Sequence, residues 1–331
     1  MNRDVYVSVI IPVYNGSKYI ANCIESVLRS RYMKYELIII DDCSTDNTSQ
    51  IVNNQVVTEK LIYIRNKENL GPAKSRNLGV KESKGSLAIF LDVDTVIASD
   101  FIGNIVQVFK QNKQIGALQA KIISGDSELI ESAGHFITFF GFPYEIGRNE
   151  KSANWDEQME IFGARSAAMA IRRNVFVSSG GFDEDYLIYG EETDLCWRIW
   201  KSGYKIIYFP RAIARHFQKS SLDKKTRYRV FYEGAKNNLS NIIKNSELKV
   251  LFWMVPLYFC GWIMVCIKLT FSSEWRMIPW ILKGLWWNIS HLRYTIQKRI
   301  VYARHDDSIS IFGNMKLFET FKKGANWISH V

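Results

Sequence analysis

The first 210 residues alternate short apolar segments with segments of helical periodicity. Five segments are near-continuously apolar and rich in β-branched residues, which predicts buried parallel strands. They occupy residues 5–13, 35–41, 61–65, 86–92 and 115–122. Helical segments fill the gaps between them. The predicted fold class is therefore α/β, with a mostly parallel sheet and helices on both faces.

Capping residues locate the first three helices. Ser17 or Asn15 can cap a helix before the second strand, and Asp46 can cap one before the third. Gly71 and Pro72 open a helix before the fourth strand, since proline is preorganised for a first helical position.

The periodic pattern loosens over residues 125–165, where aromatic residues and glycines are mixed. This composition predicts hairpins or loops that cover a cleft. Regular structure returns with predicted strands at 163–173 and 205–210, and a helix opens between them near Glu191.

The chain divides into a predicted catalytic domain, residues 1–220, and a helical C-terminal region, residues 221–331. Residues 250–267 form an uncharged run of 18, the lower limit for crossing a bilayer. A second stretch, 275–299, is rich in Trp, Lys and Arg, as interfacial helices are. We interpret both as membrane-surface helices or a re-entrant hairpin. The alternative is a buried helix pair packed on the catalytic domain.

Charge supports this division. The 331-residue chain has a formal charge of +10, but residues 211–331 hold 20 Lys and Arg against 7 Asp and Glu, a net of +13. The first 210 residues therefore carry −3. A basic region of this kind meets nucleic acid, anionic lipid or a phosphorylated substrate. Basic residues flank the uncharged run on both sides, so they give no orientation: Lys244, Lys249, Lys268 and Arg276.

Cysteine spacing and the N-terminal segment bear on the compartment. The five cysteines are dispersed, without the spacing of a zinc site or the density of a disulfide scaffold. The N-terminal residues enter a strand pattern directly and lack the features of a cleaved signal peptide. We expect a reducing, cytoplasmic setting.

Two aspartates follow the fourth predicted strand, in the sequence LDVD. Open parallel sheets bind ligands at the carboxyl ends of their strands. Residues two apart in an extended segment face the same side, so Asp92 and Asp94 can present two carboxylates to one hard divalent cation. Taken alone, carboxylates at a strand end more often cap helices or solvate loops.

Three further sites carry titratable side chains. At the end of the second strand, Asp41 or Asp42 could accept the imide N–H of a pyrimidine base, or this segment could only cap the next helix. The segment GEETD places Glu191, Glu192 and Asp194 in the first turn of a helix, where the helix dipole favours acidic residues whatever the function. One of these three could instead be a general base for an acceptor hydroxyl.

His216 lies just beyond the last predicted strand. It is either a surface histidine or a metal ligand.

Taken together, these segments resemble a family 2 glycosyltransferase of the GT-A fold. Six blocks follow the family's order and spacing over residues 6–220: VSVIIPVYNGSKYIANCIESVL, IIIDDCSTDNT, NLGPAKSRNLGV, FLDVDT, GGFDEDYLIYGEETDLCWRIWKSGY and FPRAIARH. The fifth block is especially similar to non-processive, rhamnosyltransferase-like members.

The resemblance implies a role for each matching residue. The implied donor-binding residues are Pro12, Tyr14, Asn15, Asp41 (on the base), Asp42, Lys74, Arg76, Asp92 and Val93. Asp94 and His216 would bind the metal, with Asp92 near it. Glu192 falls at the position of the catalytic base.

Two departures from the family pattern matter. The base is often Asp in an E-D-x-D arrangement, whereas here the segment is E-E-T-D, so Glu191 and Asp194 remain candidates beside Glu192. The Gln-x-x-Arg-Trp motif of processive synthases is absent, which indicates the addition of a single sugar.

The expected function is an inverting transfer, dependent on Mg²⁺ or Mn²⁺, from a UDP- or dTDP-sugar. Uracil and thymine share one imide edge, so Asp41 would not separate the two donors. The acceptor would be a hydroxyl of a polyprenyl-diphosphate-linked or polysaccharide glycan, at the cytoplasmic face of the cell membrane. The expected pathway is cell-surface glycan biosynthesis.

Three other classes are possible. The first is a binding or scaffold protein of the same fold that has lost activity, against which the retained Asp94, Glu192 and His216 speak. A nucleic-acid-binding protein is disfavoured because no known module is present. A Rossmann dehydrogenase is disfavoured because the turn after the first strand, PVYNGSKY, lacks GxGxxG.

Overall fold

The computed structural model describes residues 5–55, 59–138, 140–217, 224–272 and 274–302. The strands in these ranges are β1 (Val7–Val13), β2 (Tyr35–Asp41), β3 (Leu61–Arg65), β4 (Leu87–Leu91), β5 (Thr95–Ile97), β6 (Ile115–Ser124), β7 (Ile130–Ser132), β8 (His135–Ile137), β9 (Pro143–Glu145), β10 (Met159–Glu160), β11 (Ala168–Arg172) and β12 (Lys205–His216). The predicted domain boundary at residues 220 and 221 lies outside the described residues.

The α-helices are α1 (Ile20–Leu28), α2 (Thr48–Gln55), α3 (Pro72–Glu82), α4 (Phe101–Gln111), α5 (Arg173–Ser178), α6 (Glu191–Lys201), α7 (Lys224–Asn245), α8 (Leu248–Thr270), α9 (Ile278–Ser290) and α10 (Leu292–Tyr302). Short 3₁₀ turns occur at Ser152–Asn154 and Trp275–Met277. The helix predicted to open near Glu191 is confirmed as α6, and the helix predicted at Pro72 is confirmed as α3.

The described residues from 5 to 217 belong to the predicted catalytic domain and are called the catalytic region. One large sheet forms its centre, with the strand order β10-β12-β6-β11-β4-β1-β2-β3. The segment β4-β1-β2-β3 is parallel, as predicted. Strand β11 runs antiparallel between β4 and β6, and Ala168 at its start pairs with Leu91 at the end of β4. The residues before β11 therefore lie at the same sheet edge as the residues after β4.

An apolar layer covers each face of the sheet. Along β1, Val9 and Ile11 belong to the layer that includes α1 and α4, whereas Ile10 belongs to the layer that includes α3 and α6. Side chains of a strand alternate between faces, so a strand buried on both faces is apolar throughout. This alternation explains the continuous apolar runs of the sequence.

Two predicted boundaries differ from the structure. The strand predicted at 163–173 begins only at Ala168, because the backbone N–H groups of Arg165 and Ser166 donate to side chains instead of a strand neighbour. The strand predicted at 205–210 continues to His216, because its second half pairs with β5 after an irregularity between Phe209 and Ile213.

The first helix also begins later than its predicted caps. Asn15 has a left-handed backbone, with φ of 52°. The N–H groups of Asn15 and Ser17 donate to the side chains of Ser44 and Asp46. These bonds hold the segment as a loop, and α1 starts at Ile20.

The C-terminal helices pack on the catalytic region through a third apolar cluster. Helix α7 contacts α6, α8, α9 and α10. On α8, Tyr258 stacks on Phe142 of the catalytic region with ring centroids 4.8 Å apart. By length and composition α8 could cross a membrane, and a third of its most apolar window is buried.

Gly79 on α3 tests the packing of helix on sheet. A Cβ added at Gly79 would overlap the Cγ2 methyl of Ile10 on β1. We expect Gly79→Ala to lower the free energy of unfolding by about 1–3 kcal/mol in urea denaturation, because overpacking outweighs the better helix propensity of Ala.

Gly103→Ala is the matched control. Gly103 on α4 has no heavy atom within 4 Å of an added Cβ, so the same substitution should raise the free energy of unfolding by about 0.5–1 kcal/mol. Equal effects of the two substitutions would contradict the close approach of α3 to β1.

Candidate active site

Asp92, Asp94 and His216 come together at the carboxyl edge of β4. Each offers a ligand atom, and the three atoms lie within 4.8 Å of one another. His216 Nε2 is 2.9 Å from Asp94 Oδ1 and 3.9 Å from Asp92 Oδ2. The pairing of β12 with β5 sets His216 opposite Thr95, the residue that follows Asp94. The structure thus brings the three predicted metal ligands into one cluster.

The imidazole of His216 is held between two carboxylates. Its Nδ1 lies 2.9 Å from both oxygens of Glu131 on β7, opposite the contact with Asp94. Burial lowers the pKa of His216, but the hydrogen bonds to Asp94 and Glu131 outweigh it and raise the pKa to about 10. The two carboxylates therefore favour the protonated imidazole and hold the ring in place.

This cluster fits a divalent cation. Carboxylate oxygens and an imidazole nitrogen suit Mn²⁺, and carboxylates suit Mg²⁺. A metal-binding histidine usually bonds a carboxylate through its second ring nitrogen, which fixes the ring, and Glu131 stands in that position. No motif in the sequence pointed to Glu131, which lies on the short strand β7 within the aperiodic sequence of residues 125–165.

Arg76 joins the metal cluster to α6. It is buried, and its guanidinium donates to Asp92 Oδ1 at 2.8 Å and to Glu191 Oε1 at 3.4 Å. Burial raises the pKa of Asp92, but Arg76 and His216 more than compensate and hold it below its usual value. Arg76 is therefore committed to two carboxylates of the cleft.

The three acidic residues of α6 differ in their surroundings. Glu192 is half-buried, and its Oε1 accepts hydrogen bonds from Ser166 N at 3.1 Å and Ser166 Oγ at 2.7 Å. Glu191 is buried, and burial together with the neighbouring Glu192 raises its pKa to about 8. Asp194 is fully buried. Its carboxylate lies 2.6 Å from Arg198 and 2.8 Å from Lys244 of α7.

Arg165 adds positive charge near Glu192. Its Nη1 donates to Glu131 Oε1 at 2.9 Å, and its Nε is 4.0 Å from Glu145 Oε1. Burial lowers the pKa of Arg165, but the surrounding carboxylates, including Glu192 and Asp92, raise it well above the ordinary value. No motif in the sequence pointed to this residue.

Asp41 and Asp42 take structural positions. Asp41 has no exposed surface; its oxygens accept from Ser44 N at 2.8 Å, Ser49 Oγ at 2.9 Å and Tyr63 Oη at 2.6 Å. The Asp42 carboxylate is buried as well. It accepts from the side chain of Asn66 and from the N–H groups of Leu70 and Gly71 at 2.7–2.9 Å. Both carboxylates accept hydrogen bonds from the protein itself, and their assignment to the nucleotide stays a prediction.

The other predicted donor residues line the same sheet edge. Tyr14 is half-exposed, and the Asn15 side chain accepts from Thr45 N at 2.8 Å, so it ties the loops after β1 and β2 together. Val93 packs against Gly16. Pro12 lies in β1, and Lys74 in the first turn of α3. A cavity of about 380 Å³ borders Asp94, with Lys18, Asn22 and Arg29 in its lining.

Solved structures of other proteins share the fold of this chain. GalNAc-T7, crystallised with UDP, GalNAc and Mn²⁺, matches with a TM-score of 0.64 at 17% identity, over 90% of this chain and 58% of that one. The mannosyltransferase PcManGT of Pyrobaculum calidifontis, with GDP-Man and Mn²⁺, matches with a TM-score of 0.54 at 17% identity, over 91% and 87%. The fold is therefore that of GT-A glycosyltransferases, as predicted.

The sequence itself identifies the family. Residues 8–177 match the model of glycosyl transferase family 2, and the chain belongs to this family. It is 30% identical over 132 residues to the glycosyltransferase GlyG of Streptococcus pneumoniae serotype 4. The aligned residues make up 39% of this chain and 42% of the relative. The chain thus aligns with less than half the length of this relative.

The buried position of Asp42 leads to a prediction. Asp42→Ala would remove an acceptor from three N–H donors, those of the buried Asn66 and Gly71 and of the partly buried Leu70, so we expect the free energy of unfolding to fall by about 3 kcal/mol in urea denaturation. Asp126→Ala, at an exposed aspartate, should change it by less than about 0.5 kcal/mol. Unchanged stability together with a raised donor KM would place Asp42 on the nucleotide instead.

Proposed function

We propose that the protein transfers a single sugar, with inversion, from a UDP- or dTDP-sugar to an acceptor hydroxyl, using Mg²⁺ or Mn²⁺. The observation that carries the proposal is the cluster of Asp92, Asp94 and His216, linked through Arg76 to the start of α6. This arrangement sets a cation site and a set of candidate bases at one cleft.

Asp94 and His216 would hold the metal, with Asp92 beside them. When bound, the cation would neutralise the diphosphate and so favour its departure. Asp92 is already bonded to Arg76, so its oxygens are shared between the guanidinium and the cation site. His216 is oriented for this role by Glu131.

Glu192 is the base that the geometry favours. An acceptor oxygen forms its bond to the anomeric carbon while the bond from that carbon to the diphosphate oxygen breaks, and the acceptor proton passes to Glu192. Ser166 fixes one oxygen of Glu192. Glu191 is less suited because its pKa of about 8 keeps it mostly protonated at neutral pH. Asp194 is enclosed by Arg198 and Lys244.

Acceptor and location extend the proposal. Most exposed residues in the middle of α8 are apolar and lie on one side of the helix, opposite the side that packs on α7 and Phe142, with Lys249, Lys268 and Thr270 exposed near its ends. These apolar residues form a stripe that consists of Phe252, Pro256, Cys260, Ile263 and Ile267, and it continues to Phe271.

Exposed Trp280 and Trp286 on α9, with Lys283 between them, add aromatic and basic character. Such a surface suits an anionic membrane, where a polyprenyl-diphosphate-linked acceptor would be found. We therefore place the enzyme at the cytoplasmic face of the cell membrane, in cell-surface glycan synthesis.

Glu192→Gln separates donor binding from chemistry. We expect kcat for sugar transfer to fall by about 10³-fold or more, since the amide cannot take the acceptor proton, whereas Mn²⁺-dependent donor binding stays within about twofold. Sugar transfer and slow donor hydrolysis are measured with a panel of nucleotide sugars, and donor binding is measured by calorimetry.

Asp94→Asn is the paired variant at the cation site. It should weaken Mn²⁺ binding and donor binding together. Near-normal transfer by Glu192→Gln would remove Glu192 from the base role, and unchanged Mn²⁺ affinity of Asp94→Asn would remove the proposed metal site.

Membrane association is tested on the stripe of α8. Phe252 and Phe271 are 89% and 88% exposed, so replacing both by Glu should leave the fold intact and abolish flotation with phosphatidylglycerol vesicles. Met33→Glu, at an apolar residue of the catalytic region that is 67% exposed, should float like the wild type. Wild-type protein that stays at the bottom of the gradient would contradict the membrane assignment.

A further inference from the structure

The loop before α6 has an unusual backbone. Tyr189 and Gly190 are both left-handed, with φ of 62° and 90°. A left-handed tyrosine is disfavoured, so the surroundings must hold it there. Gly190 is the N-cap residue of α6 and supplies no side-chain cap. The helix that begins with Glu191 and Glu192 is therefore fixed from outside its own sequence.

Two asparagines of α7 supply that fixation. Asn237 Nδ2 donates to the carbonyls of Ile188 at 3.0 Å and Tyr189 at 2.6 Å. Asn241 Nδ2, one turn later, donates to the carbonyl of Gly190 at 2.9 Å. Residues four apart share a helix face, so the two amides meet three successive carbonyls of the loop.

Both amides are themselves oriented. Asn241 Oδ1 accepts from the Tyr186 hydroxyl at 2.6 Å, so its Nδ2 must face Gly190. Asn237 Nδ2 also lies 3.2 Å from Glu233 Oε2, so every polar group near this nitrogen is an acceptor, which sets the direction of the amide. Both asparagines are buried, with at most 1% of their surface exposed. Buried amides with set directions hold the loop more firmly than mobile surface side chains.

The contact continues into α6. Asn245, one further turn along α7, donates to Asp194 Oδ1 at 2.8 Å. Lys244 reaches Asp194 at 2.8 Å and Asp183 at 2.7 Å. The asparagines at 237, 241 and 245 lie on one face of α7, and this face contacts the loop before α6 and the first turn of α6.

The loop fits this face closely. A Cβ at Gly190 would lie 3.1 Å from Asn237 Cβ and 3.3 Å from Asn241 Nδ2. Gly190 therefore satisfies two demands at once, a left-handed backbone and a close approach to α7.

We propose that Asn237 and Asn241 are positioning residues of the active site: they fix the carbonyls of residues 188–190 and so set the place of Glu192 relative to Asp94. This inference rests on the proposed role of Glu192. A displacement of about 1 Å at a reacting group can cost about 10²-fold in rate. The C-terminal helices thereby contribute to turnover without touching substrate.

The test uses Asn237→Ala and Asn241→Ala in the full chain. Amide hydrogen exchange of residues 188–194 should become faster in both variants, and kcat should fall by about 10- to 100-fold. Donor KM should stay within about twofold, because the nucleotide side of the cleft is built from other elements.

Asn288→Ala is the matched control. Asn288 on α9 is equally buried, but it bonds Ser240 and the carbonyls of Lys236 and Gly284, not the loop. We expect a similar loss of melting temperature, with kcat and the exchange of residues 188–194 within about twofold of wild type.

Each contrary result has a distinct meaning. An equal loss of kcat in Asn288→Ala would mean that Asn237 and Asn241 contribute only to general packing. Unchanged kcat with faster exchange in Asn237→Ala and Asn241→Ala would overturn the positioning role. If Glu192→Gln kept full transfer, Glu192 would lose the proposed base role, whereas the exchange measurement would still show whether the asparagines hold the loop.

Discussion

The active cleft depends on the balance of charge among buried carboxylates. Asp92, Asp94 and Glu131 meet around His216, and Glu191 lies across Arg76 from Asp92. Like charges brought out of water repel strongly, so such a group persists only with cations in contact. Arg76, Arg165 and the protonated imidazole supply them. Every distance in the cleft follows from these pairings, since each cation bonds or approaches two carboxylates.

Sheet topology makes these pairings possible. Asp92 and Asp94 follow a parallel strand, whereas Arg165 and Ser166 precede the antiparallel β11 that pairs with it. The two segments must therefore share one edge. The last residue of β12 arrives beside them through its pairing with β5. Residues from four distant parts of the sequence are thus held at strand ends, in the short turns beside them and at the start of α6.

The parallel strands and the start of α6 could be predicted from the sequence, because continuous apolar runs and capping residues are local signals. The meeting of Asp92, Asp94 and His216 was implied by the resemblance to the family, and the structure brings the three side chains together. Glu131 and Arg165 could not be predicted, because they lie in a segment without periodicity and their partners are far away along the chain. Asp41 and Asp42 were assigned to the nucleotide by motif. Only the structure shows how completely neighbouring N–H and O–H groups use their carboxylates.

The C-terminal helices were predicted as a separate region, and their charge suggested only a surface role. Lys244, which counted in the sequence as a basic flank of the apolar run, is buried and bonded to Asp183 and Asp194. Its charge therefore stabilises the approach to α6 and cannot meet lipid. One face of α7 holds the loop of Glu192, and α8 packs on α7 while leaving its own apolar stripe open. Helix α7 contacts both the loop of Glu192 and helix α8. Removing α8 and α9 would therefore disturb the contacts that hold this loop as well as remove the apolar surface. Substitutions on the open stripe change that surface alone.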